Sequence, residues 1–369
     1  GLIGLQRQVL LGIIESLAAT FRGVGAVLVL WLISPTIQAF FLWQIVVSII
    51  HTFLVMFFLW NSLPRSDQPA KFHKNTLLNV WRFAAGMTFI SITSTILTQT
   101  DKILLSNLLT LKDFGYYTLA TTVTCSLYTV VGPVNSAVFP RFTQLVSIND
   151  ETNLRLLYHK SSQLMSTLVI PLAIMISLFS YEILFLWTGD IDTAQNTFKL
   201  VSFLIIGTAI NGLMNIPYSL QLSKGWTNLT LYSNIIAISV LVPLIYFLSR
   251  YYEALGAAFA WALLNTGYIL IVVQVMHSRI IKGQQWKWYY NDIGIPLITT
   301  LLISLLWRWF MPDNASRIQL LFYMPFIYGS LLLTALFASS FMRKWLIQNG
   351  SKLIYYGYFK CRQLVSNPK

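Results

Sequence analysis

The chain has 369 residues, 56% hydrophobic and only 10% charged, with a mean hydropathy of +0.65 and a formal net charge of +13. Soluble domains carry about 25% charged residues, so a water-soluble globular fold is excluded. Two cysteines, Cys125 and Cys361, leave no material for a disulfide framework or a cysteine-based metal site.

About ten apolar stretches follow one another, at residues 24–33 (with the small-residue run before it), 40–60, 83–98, 117–138, 166–187, 198–220, 229–248, 254–276, 293–310 and 320–341. A spanning helix takes roughly 20 mostly apolar residues. The expected fold is therefore an all-α polytopic membrane protein with about ten transmembrane helices. If the segments cross alternately, eighteen of the 25 basic residues fall on one side and six on the other, with Arg22 inside a span. That bias follows the positive-inside rule and assigns the basic side, with the C-terminus, to the cytoplasm. The positive charge then reports topology and contact with membrane lipids, and no nucleic acid partner is expected.

In chain order, the first helix carries Gln8, Glu15 and Arg22 at sevenfold spacing on one face, beside the small residues Gly12, Ser16, Ala19, Gly23 and Ala26. Ionisable residues inside a span are rare and face a cavity or a partner. Two readings stand: packing and snorkelling at the inner leaflet, or a water-filled lumen lined by Arg22 and tuned by Glu15. The third helix repeats the design with Thr88, Ser91, Thr95, Thr98 and Lys102 on one face, with Asp101 alongside. These hydroxyls either bond back to the helix and its neighbours or line water. Asp101-Lys102 is either an interfacial ion pair or a gate whose carboxylate takes a coupling proton or sodium ion. The next helix is rich in threonine, kinks at Gly132-Pro133 and ends at Pro140-Arg141. Asn211 and Asn215, one turn apart and followed by Pro217, make a polar notch suited to interhelical hydrogen bonds. The four histidines, His51, His73, His159 and His277, have no ligand spacing and read as interfacial or loop residues. No Walker-type loop, Ser/His/Asp cluster or large outer loop is present, so neither ATP hydrolysis nor other enzyme chemistry is expected.

An internal repeat is visible. Leu5-Gln6 opens a helix followed by Ala39-Phe40-Phe41-Leu42-Trp43. At an offset of 215 to 218 residues, Leu220-Gln221 opens a helix followed by Ala257-Ala258-Phe259-Ala260-Trp261. Parallel repeats are a common transporter design. Four spans between the halves lack counterparts before Gly1, so the chain reads as the last ten helices of a fourteen-helix, two-lobe protein. The expected domains are residues 1–60 (the last two helices of an N-terminal lobe), 61–81 (a cytoplasmic linker), 82–278 (a six-helix C-terminal lobe), 279–345 (two extra helices) and 346–369 (a basic cytoplasmic tail).

Leu97-Thr98-Gln99-Thr100-Asp101-Lys102-Ile103-Leu104-Leu105, then Asp113-Phe114-Gly115-Tyr116-Tyr117, then Phe139-Pro140-Arg141 resemble the signature elements of the polysaccharide biosynthesis, O-antigen flippase family. That family lies within the multidrug/oligosaccharidyl-lipid/polysaccharide exporter superfamily. Residues 1–8 resemble the loop before its fifth span, and the likeness runs through the chain in order. The resemblance implies an alternating-access flippase in the bacterial cytoplasmic (inner) membrane. Its substrate would be an undecaprenyl-pyrophosphate-linked oligosaccharide, its coupling ion H+ or Na+, and it would need no cofactor. Arg22 would compensate the pyrophosphate, Arg82 and Arg141 would receive the headgroup, and the polysaccharide polymerase machinery is a possible partner. Two other functions stay open: a drug/cation antiporter of the same superfamily, which calls for more lumen carboxylates, and a membrane enzyme of glycan assembly.

Overall fold

A computed structural model describes residues 5, 7–63, 74–312, 315–344 and 348, with the backbone alone at 8, 74–80, 82 and 83. The described residues form helices and contain no strand. The chain is an all-α polytopic membrane protein. Among the described residues, seven helices are long and apolar enough to cross a membrane: Val9–Leu32, Ile37–Ser62, Glu151–Leu178, Ile191–Ser223, Asn228–Ile280, Gln285–Phe310 and Arg317–Ala338. One of the seven has 53 residues, about twice what a bilayer accommodates in a straight helix. It is broken at Glu253, whose φ of 51° and ψ of −133° are non-helical. The break falls between the apolar stretches 229–248 and 254–276, and it makes two spans of one. The hydroxyl-rich stretches 83–98 and 117–138 are helical but are not among these seven, and the second is divided between the 15-residue helix Leu111–Cys125 and the helix Tyr128–Ser147.

The chain divides into two compact units, Gly1–Leu77 and Leu78–Lys369. In the first, α1 (Gln8–Leu32) and α2 (Ile37–Ser62) pack together across Ser34-Pro35-Thr36. Thr36 starts α2 by accepting a hydrogen bond from the Ala39 amide at 3.3 Å, which satisfies one orphan donor of the first turn. Trp43 donates its indole N–H to the Phe21 carbonyl at 3.2 Å. A β-carbon at Gly25 would lie 2.1 Å from that ring, so glycine is what lets the tryptophan lie against α1.

The second unit holds α3 (Lys74–Leu108) from Leu78 onward, α4 (Leu111–Cys125), α5 (Tyr128–Ser147), α6 (Glu151–Leu178), α7 (Ser180–Thr188), α8 (Ile191–Leu213), α9 (Asn215–Ser223) and α10 (Asn228–Gly267). A π-helical stretch, Tyr268–Val272, leads from α10 into α11 (Val273–Ile280). Next, α12 (Gln285–Lys287) passes through a second π-helical stretch, Trp288–Gly294, into α13 (Ile295–Phe310), and α14 (Arg317–Ala338) follows. The long α6 is buried along most of its length and touches α5, α8, α13 and α14. Asp150 and Asp190 cap α6 and α8. Hydrogen bonds from Asn153 and from Thr193 hold these two carboxyls below the usual carboxylate range.

Small residues set the closest approach in this unit. Ala257, Ala258 and Ala260 are fully buried, and a β-carbon on Gly207 of α8 would lie 2.6 Å from Trp261 and 3.0 Å from the Ala262 backbone. At the Glu253 turn, Gly256 approaches the Leu248 carbonyl group so closely that a β-carbon would stand 2.3 Å from it. The two aligned tryptophans of the repeat therefore rest on different neighbours, Trp43 on α1 and Trp261 on α8.

Of the histidines read as interfacial or loop residues, two lie buried in helices. His159 lies in α6 and His277 in α11, both buried. Asp292, fully buried in the second π-helical stretch, receives His159 Nδ1 at 2.5 Å and the Gln163 amide N–H at 2.8 Å. The Gln163 oxygen accepts from the Phe341 backbone N–H at 2.9 Å, which fixes the amide's orientation. His159 Nε2 faces the Gln284 oxygen at 3.0 Å. His277 donates Nδ1–H to the Val273 carbonyl at 2.8 Å and accepts from the Tyr158 hydroxyl at 3.0 Å. The network fastens α6 to α11, α12 and the residues after α14. His73, the linker residues 64–73 and the tail beyond 348 lie outside the described residues.

Removing the acceptor of buried hydrogen bonds costs about 1–3 kcal/mol for each donor left unsatisfied. Asp292→Ala should lower unfolding stability in detergent by that order and accelerate amide exchange in α12, while Asp292→Asn, which keeps an acceptor for Gln163, should do less. Equal stability of wild type and Asp292→Ala would show that the network contributes nothing.

Candidate functional site

Two adjoining cavities open inside the second unit. The first, about 240 Å3, lies between α3, α8, α9, α10 and α11, with Ser94, Thr98, Asn211, Asn215, Gln221 and Asn234 among its polar lining and Trp261 and Tyr268 among its rings. The second, about 310 Å3, is bounded by Asp101, Lys102, Thr121, Thr124, Cys125 and Thr208. They share Leu97, Thr98 and Trp261.

Their walls are cross-tied by amides. Asn234 donates to Thr93 at 3.2 Å and to Ser94 at 3.0 Å, and accepts from the Tyr268 hydroxyl at 2.9 Å. One side chain thus joins α3, the first arm of α10 and the π-helical stretch. Asn211 donates to Asn265 at 2.9 Å and accepts from Tyr128 at 3.0 Å, joining α8 to α10 and α5. Asn215 donates to the Asn211 carbonyl at 3.0 Å. Trp261 donates to the Thr208 hydroxyl at 3.3 Å. Buried polar groups fully engaged in this way hold a cavity's shape in an apolar surround.

Asp101 accepts from the Tyr117 hydroxyl at 2.5 Å through Oδ2, and its Oδ1 is buried with no partner. Lys102 forms no ion pair among the described residues, so the two neighbours do not pair with each other. Both side chains border the second cavity. The hydroxyls of α3 divide: Thr88, Ser91, Thr95 and Thr98 bond back to carbonyls one turn earlier, and Ser94 and Thr98 also face the first cavity.

Of the remaining sequence candidates, Arg22 and Glu15 belong to the first unit. Glu15 lies 3.4 Å from His51 Nε2 of α2. Arg22 is half-buried, with a buried Nε lacking a hydrogen-bond partner. Arg141 is exposed on α5 and donates to Gln144 at 2.5 Å. The backbone of Arg82 is helical, and its side chain lies outside the described residues. The cavities thus bring together Asn211, Asn215, Asp101 and Lys102, but not Arg141. Residues that sequence reasoning passed over are Asn234, Tyr268, Gln221 and Trp261 as lining, and His159 and Asp292 as a buried pair. Gln221 and Trp261 were visible among them, as aligned members of the internal repeat.

Residues 10–191 match the family described as polysaccharide biosynthesis protein. A Shigella flexneri protein named as an O-antigen transporter is 25% identical over 263 residues, 71% of this chain and 59% of that protein. The match therefore spans about three fifths of the length of that relative. The family match starts in α1 and ends in α8, and it includes Asp101, Lys102, Tyr117 and the cavity-lining part of α3. Over just under half of its length, then, the chain is similar to the polysaccharide biosynthesis protein family.

Proposed function

We propose that this protein moves a lipid-linked oligosaccharide across the bacterial cytoplasmic membrane by alternating access, as a transporter and not an enzyme. The observation that carries the reading is the pair of polar cavities inside an otherwise apolar helical unit. Amides and hydroxyls offer both donors and acceptors, and an indole face at Trp261 offers an apolar platform. A saccharide needs that mixture. A lipid anchor would remain in hydrocarbon while the polar head crosses, and the cationic Arg22 of the first unit would compensate a pyrophosphate. The family match and the name of the Shigella flexneri relative point the same way. The C-terminus would face the cytoplasm, by the distribution of basic residues.

The test is restoration of surface polysaccharide in cells lacking their own transporter. Losing one hydrogen bond to substrate costs about 1–1.5 kcal/mol, so Asn215→Leu should cut the polysaccharide roughly tenfold at unchanged membrane abundance, and Arg22→Ala should abolish it. Wild-type polysaccharide from Asn215→Leu would remove the cavity from the transport path, and from Arg22→Ala would remove that arginine.

Asp101 is proposed as the coupling carboxylate, because one of its oxygens is buried and free beside a cavity. Asp101→Asn should leave transport in vesicles unresponsive to imposed proton or sodium gradients. A variant that still responds to either gradient as wild type does would exclude the assignment.

A further inference from the structure

A second kind of pocket lies between the two arms of the α10 hairpin. It is an open groove of about 650 Å3, walled by residues 229–244 on one arm and 263–279 on the other. Its lining is mostly aliphatic, and Ala237 and Gly267 are small enough to keep it open. A β-carbon at Gly267 would meet nothing within 4 Å. One end is different. There Arg279, at the last turn of α11, stacks 4.9 Å over the Trp226 ring, and Asn228 lies alongside in the lining. Arg279 makes no ion pair among the described residues. Its cationic head is held in place by the indole and left without a carboxylate. The turn that follows adds Lys282, and α12 adds Lys287.

The groove is also tied to the polar cavities. Ser233, Tyr268 and Val272 line both the groove and the first cavity, so they form the wall between them. Tyr268 and Val272 bound the π-helical stretch, a distortion that recurs at functional sites.

We propose that this groove is a binding site for one anionic phospholipid of the surrounding bilayer, with an acyl chain between the arms and the phosphate at Arg279. Aliphatic walls match the chain, and an unpaired guanidinium over an indole at the membrane-interface end matches the phosphate. The basic segment beside it lies on the side of the chain that carries most of the basic residues, where anionic lipid is attracted. The site is separate from the polar cavities proposed for the transported saccharide and does not depend on that reading. Through Tyr268 and Asn234, an occupied groove would brace the wall of the first cavity.

The test is native mass spectrometry of the purified 369-residue chain equilibrated with mixed micelles of phosphatidylglycerol and phosphatidylcholine of matched acyl chains. Wild type should retain one phosphatidylglycerol with a preference of about fivefold over phosphatidylcholine, as one well-placed arginine provides at a membrane surface. Arg279→Gln should abolish the preference while leaving binding of either lipid possible, and Arg279→Lys should restore part of it. Gly267→Phe, which enters open space, should plug the groove and reduce retention of both lipids without lowering thermal stability. Undiminished phosphatidylglycerol preference in Arg279→Gln, or full retention in Gly267→Phe, would overturn the proposal. So would a wild-type dimer that Gly267→Phe converts to a monomer, since the groove would then seat a second copy of the chain.

Discussion

Hydrocarbon offers no hydrogen bonds, so a polar group carried into a membrane span must be satisfied by the protein or by water the protein admits. The second unit answers this demand in two ways. In one, His159, Gln163, Asp292, Gln284 and the backbone of Phe341 bond to one another in a cluster that pins α6 to the segments after α10. In the other, Asn211 and Asn234 spend most of their capacity on neighbouring helices, Asn265 among their partners, and what remains faces the first cavity. The first arrangement closes the structure, and the second keeps it open.

The open arrangement depends on close packing elsewhere. Gly207 and the alanines of α10 bring α8 against the second arm of the hairpin, and the Glu253 break returns the chain so that both arms flank one side. The hairpin then presents polar residues to the cavities and aliphatic residues to the groove. Tyr268 stands at the border of the two, with its hydroxyl on Asn234 and its ring along the groove. A single helical distortion thus separates a polar compartment from an apolar one within a few ångströms.

Much of this was legible in the sequence, for physical reasons that can be named. The spans follow from the bilayer's thickness, and the break at Glu253 from the polar run between two apolar stretches. The Asn211 and Asn215 notch was read as a source of interhelical hydrogen bonds, and both asparagines do bond within that wall. In the hydroxyl stripe of α3, Thr88, Ser91 and Thr95 bond back to their own helix, and Thr98 does so while also bordering a cavity. The histidine network was not legible. Its members are more than a hundred residues apart in sequence, and local spacing carries no information about partners that tertiary packing selects. The repeat was a partial guide: it aligned Trp43 with Trp261, but the helix each tryptophan rests on differs. In the first unit, Glu15 meets His51, a pairing between helices that periodicity on α1 alone could not reveal.

The central claim is that the polar face of the second unit lines water, not lipid. Cys125 borders the second cavity beside Asp101, and the other cysteine, Cys361, can be replaced by serine. In the Cys361→Ser protein reconstituted in vesicles, a charged methanethiosulfonate should modify Cys125, and Thr124→Trp should slow the reaction by filling the cavity. A Cys125 that reacts with a lipid-soluble maleimide but is untouched by the charged reagent would contradict the account.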